Sequence, residues 1–177
     1  MADASWQDVE IELTAGDITQ QADLDAIVNA ANRDLLPGGG VAGAIHRATG
    51  PGLLEECRLL APIEPGAAVL TEAYNLPNRH VIHCLGPVYG MDEPSDQLLA
   101  SAYRHAVELA DSAGMRSLGF PALSTGNFGY PMPEAARVAL ATVKENCAGL
   151  EHLRRVRFVL FDDASLGIYR EALQHLP

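Results

Sequence analysis

Two stretches of this sequence offer backbone chemistry rather than side-chain chemistry. Gly38-Gly39-Gly40-Val41-Ala42-Gly43 fits a G-x-G-x-x-G string, in which glycines let backbone N–H groups approach a diphosphate at a helix N-terminus. Ser124-Thr125-Gly126-Asn127-Phe128-Gly129-Tyr130-Pro131 is also uncharged and adds two aromatic rings. Facing each other, the two would form a channel of backbone donors with aromatic faces for a sugar or a base. Two tight turns with no ligand would read the same way.

Charge sharpens the question. The chain has 12 basic against 23 acidic residues, a net charge of −11, so its field repels nucleic-acid polymers and anionic membranes, and neither is expected as a partner. An anionic small molecule would have to be held by backbone N–H groups and helix N-termini rather than by lysines. Cys57, Cys84 and Cys147 lie far apart, show no metal spacing, and are expected as buried small hydrophobes. His80 and His83 are three apart in an expected strand and so point to opposite faces, which removes the one pair that suggests a metal. No metal and no cofactor is expected. Ser124 lacks the glycine two residues earlier that a nucleophile elbow needs, so its hydroxyl is expected to support its loop. No run reaches the length of a membrane span, and the acidic MADASWQDVE start lacks the basic and apolar regions of a signal peptide; the expected location is the cytoplasm.

The elements that must position these loops follow from hydrophobic period. Val9, Ile11 and Leu13 alternate with polar residues as a half-exposed strand, Gly16 to Thr19 turns, and Ala26-Ile27-Val28-Asn29 is a continuous apolar run suited to a central strand. Helices are expected from near Val41, over 51–60, over 97–113 with Ser95 as cap, over 134–146 after Pro133, and over 165–176 with Asp162 and Asp163 capping. Strands are expected over 67–73, 80–85, 117–120 and 156–161. Strands alternating with helices throughout 177 residues imply one α/β domain over 1–177, with its core at about 9–176: a three-layer α/β/α sandwich around a central parallel or mixed sheet. Both glycine loops follow strands, and ligands in such sheets bind beyond the carboxyl ends of the strands.

Val28-Asn29-Ala30-Ala31-Asn32, followed by Gly38-Gly39-Gly40-Val41 and Gly43-Ala44-Ile45-His46-Arg47, resembles the signature of macrodomains, which bind ADP-ribose. The Gly16-Asp17-Ile18-Thr19 turn, Val81-Ile82-His83 leading to Gly86-Pro87, and the Ser124 to Pro131 loop match in order, so the resemblance runs from about Val9 to Leu176. It is closest to the MacroD-like branch, which includes mono-ADP-ribosyl-protein hydrolases acting on Glu and Asp side chains and O-acetyl-ADP-ribose deacetylases. It implies that the Asp17 carboxylate and the Ile18 N–H meet adenine and that Phe161 stacks on it, although Phe161 also reads as a core residue and Asp17 as a helix cap. Gly38, Gly39, Gly40 and Val41, with Ser124, Thr125, Gly126, Asn127 and Phe128, would wrap the diphosphate mainly through backbone N–H groups; the Asn127 side chain is not counted as a ligand. Asn32 would bond the distal ribose, against which Phe128 packs, or else cap a turn. The implied partners are ADP-ribose and mono-ADP-ribosylated proteins, bound by a monomer. A dinucleotide-dependent oxidoreductase is a third reading, disfavoured because residues 30–37 separate the glycines from their strand.

One departure bears on catalysis. MacroD-like hydrolases carry an Asp after the G-G-G-V string and assign it the positioning of water; here the residue is Ala42, which can neither orient water nor accept a proton. The loss of a general base costs about 10²- to 10⁴-fold. The string Gly38 to Ala44 also resembles coronavirus macrodomains, which have alanine there and are regarded as hydrolases that rely on water held by the ligand diphosphate and loop backbone. Hydrolase therefore leads, with a non-catalytic reader as the alternative. His46, one turn after Ala42, is a candidate surrogate base or else a packed core residue.

Overall fold

The computed structural model describes residues 2–177. The elements in chain order are β1 (Ala4–Trp6), β2 (Val9–Ala15), β3 (Ala26–Ala30), α1 (Gly40–Thr49), α2 (Gly52–Leu60), β4 (Ala68–Glu72), β5 (His80–Cys84), α3 (Ser95–Ser112), β6 (Ser117–Phe120), α4 (Met132–Asn146), β7 (Arg155–Leu160) and α5 (Asp163–Gln174). The strands form one sheet in the order β1-β2-β7-β6-β3-β5-β4. The five inner strands run parallel, and the edges β1 and β4 pair antiparallel, so the sheet is mixed.

Helices cover both faces, as the alternating elements require. Ala26 and Val28 of β3 enter a large core with α3, α4 and α5, whereas Ile27 enters a smaller one with α1 and α2, which explains why this strand reads as an unbroken apolar run. The larger core is built on aromatics: Phe120 lies 4.9 Å from Tyr103 and 5.6 Å from Phe158, whose ring is in turn 5.6 Å from Tyr169. All three cysteines are buried and unpaired, as expected.

Most expected boundaries hold within two residues. Asp162 caps α5 by accepting from the Ser165 N–H at 2.8 Å. Ser95 does not cap α3: it is the first helical residue, and its hydroxyl donates to the Asp92 carbonyl at 2.6 Å, while Pro94 supplies the extended residue before it. Strand β1 is absent from the sequence reading because three residues are too short for alternation to register. The arginines around β7 are engaged internally. Arg157 bonds Glu12 at 3.0 Å and Asp23 at 2.7 Å, lashing β7 to β2, and this holds the Asp23 carboxyl down at about 2. Arg154 donates to the carbonyls of Leu150, Glu151 and Leu153.

Candidate ligand crevice

Every residue singled out for a ligand lies in the segment that follows the carboxyl end of a parallel strand. Asp17 and Ile18 follow β2, Phe161 follows β7, Ser124 to Phe128 follow β6, and Asn32 with Gly38 to Ala42 follow β3. Because β2, β7, β6 and β3 are consecutive and parallel, these segments leave the sheet side by side at the carboxyl ends of their strands. With neighbouring strands about 4.8 Å apart, that row spans roughly 14 Å. The residues assigned to adenine stand at one end and those assigned to the distal ribose at the other.

The first loop is shaped by Asn32 and by glycines that admit no side chain. The Asn32 amide accepts from the Leu36 N–H at 2.9 Å and donates to the Leu36 carbonyl at 2.8 Å, so the turn-capping reading is seen directly. One N–H and one lone pair of this amide remain for a ligand. A Cβ on Gly43 would overlap the Gly38 carbonyl, which packs directly on that helix position. Gly40 has φ +58°, in the left-handed region, and a Cβ on Gly39 or Gly40 would meet nothing within 4 Å. The backbone N–H groups of Gly39, Gly40 and Val41 bond no backbone carbonyl among the described residues outside the helix itself.

The second loop is tied to itself and to a rim. Tyr130 N–H donates to the Ser124 carbonyl at 2.9 Å, Gly129 N–H to Gly126 at 3.0 Å, and the Thr125 hydroxyl to Ala122 at 3.0 Å. Ser124 sits at φ +67° with a buried hydroxyl that has no partner among the described residues and abuts Gly86, where a Cβ would overlap it. The hydroxyl thus does not support the loop by hydrogen bonding, as the sequence reading expects; the loop is held by its backbone. Gly126 and Asn127 are exposed, and Phe128 is half-buried against the smaller core. Tyr89 N–H donates to the Phe128 carbonyl at 2.8 Å, a bracing contact the sequence reading missed, because nothing in the string after Gly86-Pro87 marks it.

At the other end, Asp17 accepts from the Thr19 N–H at 2.8 Å and from the Thr19 hydroxyl at 2.7 Å, closing a turn. No helix follows, so Asp17 is not a helix cap. Phe161 is 93% exposed, which overturns its reading as a core residue. Ala42 is buried at the start of α1. His46 is buried as well, its Nε2 without a partner among the described residues and its pKa lowered by burial, and its charge is felt by His83 on β5. It packs toward the sheet, so the surrogate-base reading is withdrawn.

His83 lies between Asn29 Nδ2 at 3.0 Å and Thr71 Oγ1 at 2.9 Å, while His80 bonds the Thr71 carbonyl at 3.1 Å. The two histidines do not converge. Among the described residues no group of three or more His, Cys, Asp or Glu side chains could hold a metal ion.

A model of the family described as Macro domain matches residues 28–139. An O-acetyl-ADP-ribose deacetylase of Klebsiella pneumoniae is 47% identical over 174 residues, 96% of this chain and 99% of that one. The chain belongs to the macrodomain family. Among solved structures, a glycine-to-valine variant of the Oceanobacillus iheyensis macrodomain with ADPR superimposes with TM-score 0.93 at 37% identity, covering 97% of this macrodomain and 96% of that chain. Asparagine-to-alanine and aspartate-to-alanine variants of the same bacterial protein superimpose with TM-scores of 0.92 and 0.90, at 37% and 38% identity, covering 97% of this chain and 91% and 95% of theirs.

Proposed function

We propose that this macrodomain binds ADP-ribose along the row from Asp17 to Asn32 and hydrolyses its acyl esters, removing single ADP-ribose units from Glu and Asp side chains and acetate from O-acetyl-ADP-ribose. The observation that supports the reading is the order of the segments along the sheet: exposed Phe161, the two glycine-rich loops and the half-engaged Asn32 amide follow neighbouring strands in the order of the ligand's own parts. Adenine lies on exposed Phe161 with its amino group toward Asp17. The diphosphate lies over the α1 N-terminus, where the dipole and open N–H groups hold it without a lysine. The distal ribose lies between Phe128 and the remaining valences of Asn32.

Similarity supports the catalytic half. The relatives' names include an O-acetyl-ADP-ribose deacetylase, and the bacterial variants add a spacing. In that protein's own numbering, the substituted Asn, Gly and Asp are separated by seven and then three residues, the intervals from Asn32 to Gly39 to Ala42 in this chain. That spacing supports reading Ala42 as the position at which that relative has its Asp. In both reactions water adds and an acyl C–O or glycosyl C–O bond breaks, giving ADP-ribose and a carboxylic acid. Ala42 offers no base, so the water is positioned by the ligand's own diphosphate and the loop N–H groups, and the Asn32 amide fixes the ribose: catalysis by positioning.

Ala42 also favours a second reading, a reader that binds ADP-ribosylated proteins without turnover. O-acetyl-ADP-ribose incubated with an equimolar amount of protein separates the two: acetate release supports the hydrolase, and binding with the ester intact supports the reader.

A further inference from the structure

The second loop begins where the sheet stops holding the chain. β6 pairs with β3 as far as Gly119 and with β7 as far as Phe120, and the chain then leaves the sheet. Leu123, the residue before the loop, is buried, and no backbone carbonyl among the described residues accepts from its N–H. The Tyr103 hydroxyl on α3 accepts from it instead, at 3.2 Å. Tyr103 is fully buried, its ring centroid 4.9 Å from that of Phe120 and 6.4 Å from that of Phe158. A phenylalanine would fill the same space between those rings, so packing does not account for the hydroxyl. Its work is to meet a buried N–H that would otherwise stay bare. Ser124 follows at φ +67°, a conformation that a residue with a side chain keeps only where its neighbours fix it.

The far end of the loop is tied to the same helix by a different route. The Phe128 carbonyl accepts from the Tyr89 N–H at 2.8 Å, and Tyr89 stands in a turn closed in both directions. The Asp92 carboxylate accepts from the Val88 N–H at 2.8 Å, and the Asp92 N–H donates to the Val88 carbonyl at 2.9 Å. The Ser95 hydroxyl, at the start of α3, donates to the Asp92 carbonyl at 2.6 Å. Helix α3 thus reaches the loop at Leu123 through Tyr103 and at Phe128 through Asp92.

We propose that Tyr103 and Asp92 are positioning residues for ADP-ribose: through them α3 braces both ends of the second loop, so that its N–H groups stand in place for the diphosphate and distal ribose before the ligand arrives. The inference rests on the crevice reading above and deepens it. Tyr103, being fully buried, acts only through Leu123. Loss of either contact lets the loop leave its place, and affinity falls with the share of molecules that keep it there. The adenine end, Asp17 and Phe161 after β2 and β7, does not hang on the brace.

Calorimetry with ADP-ribose should show binding about fivefold weaker in Tyr103→Phe and in Asp92→Ala, with thermal melts verifying the fold. Adenosine, which carries only the part of the ligand assigned to the other end, should bind both variants and the unsubstituted protein alike in an NMR titration. Asp92→Asn keeps an acceptor oxygen and should restore ADP-ribose affinity. Val143→Ala, which opens the larger core in the last turn of α4, should lower the melting temperature and leave both affinities where they are. The brace is overturned by unchanged ADP-ribose affinity in Tyr103→Phe or Asp92→Ala, by no recovery in Asp92→Asn, or by an equal loss for adenosine or in Val143→Ala. Failure of the unsubstituted protein to bind ADP-ribose would instead overturn the reading of the crevice.

Discussion

Residues in this crevice divide into those whose role shows in their contacts and those whose role shows in having none. Phe161 is of the second kind: a ring almost fully exposed beside the strand ends has no packing reason to be there, and Phe161→Ala should weaken ADP-ribose about tenfold by calorimetry. Asp17→Ala should weaken ADP-ribose more than an analogue with hypoxanthine in place of adenine, since only adenine offers the amino group; equal weakening of both would remove Asp17 from base recognition. Asn32 is of the first kind, with part of its amide held by Leu36. Asn32→Ala should therefore slow release more than it weakens binding, and a single-turnover rate set beside an equilibrium affinity tests the difference. The sequence made these three positions legible only through resemblance, because a lone Asp, Asn or Phe carries no signal in its own spacing. It misjudged Ser124 and left His46 open between base and packed core residue, since which way a side chain turns depends on neighbours such as Gly86 and His83 that are remote in the chain.

Among elements, the first loop and α1 act as one piece. A methyl group on Gly43 would drive into the Gly38 carbonyl, whereas one on Gly39 would meet open space. Gly43→Ala should therefore lower both the melting temperature, by several degrees, and ADP-ribose affinity. Gly39→Ala should leave the melting temperature in place and reduce affinity alone. If both variants melt and bind alike, the loop does not owe its shape to that close approach. At this scale the sequence was most informative: β2 by alternation, β3 and β6 by their apolar runs, and α5 by its Asp162 cap all stand where hydrophobic period and capping chemistry put them. It failed at β1, which exists only because β2 offers it an edge, and at Ser95, where the preceding Pro94 already supplies the extended residue a cap would occupy.

For the molecule as a whole, an acidic protein that holds an anion through backbone dipoles has a distinctive salt response. With no lysine or arginine in the row, added salt screens the repulsion from the net charge of −11 without breaking ion pairs to the ligand. ADP-ribose affinity should hold or tighten slightly between low and moderate salt; a steep loss would point to basic side chains instead. Folding carries a separate pH signature. Burial, and the charge of His46 behind it, depress His83 to about 3, so the folded protein leaves it neutral while the unfolded chain takes up its proton below about 6.5. Stability is complete above that unfolded value and falls as pH drops toward 3, by about 2 kcal/mol at pH 5. Urea unfolding at pH 7 and pH 5 should show this loss, and His83→Gln should abolish most of it. The three-layer fold was readable from element order, and the order of sites along the sheet edge was not, because strand order is set by crossovers that no local pattern records. The central claim is that the crevice hydrolyses an acyl-linked ADP-ribose with alanine at position 42, and it is tested most directly by a single-turnover time course. A protein mono-ADP-ribosylated on glutamate is mixed with excess macrodomain, and free ADP-ribose is followed beside an Ala42→Asp variant. The expected result is complete release by the chain with Ala42, more slowly than by the variant; retention of the modified protein with no release, while the variant cleaves it, would contradict the claim.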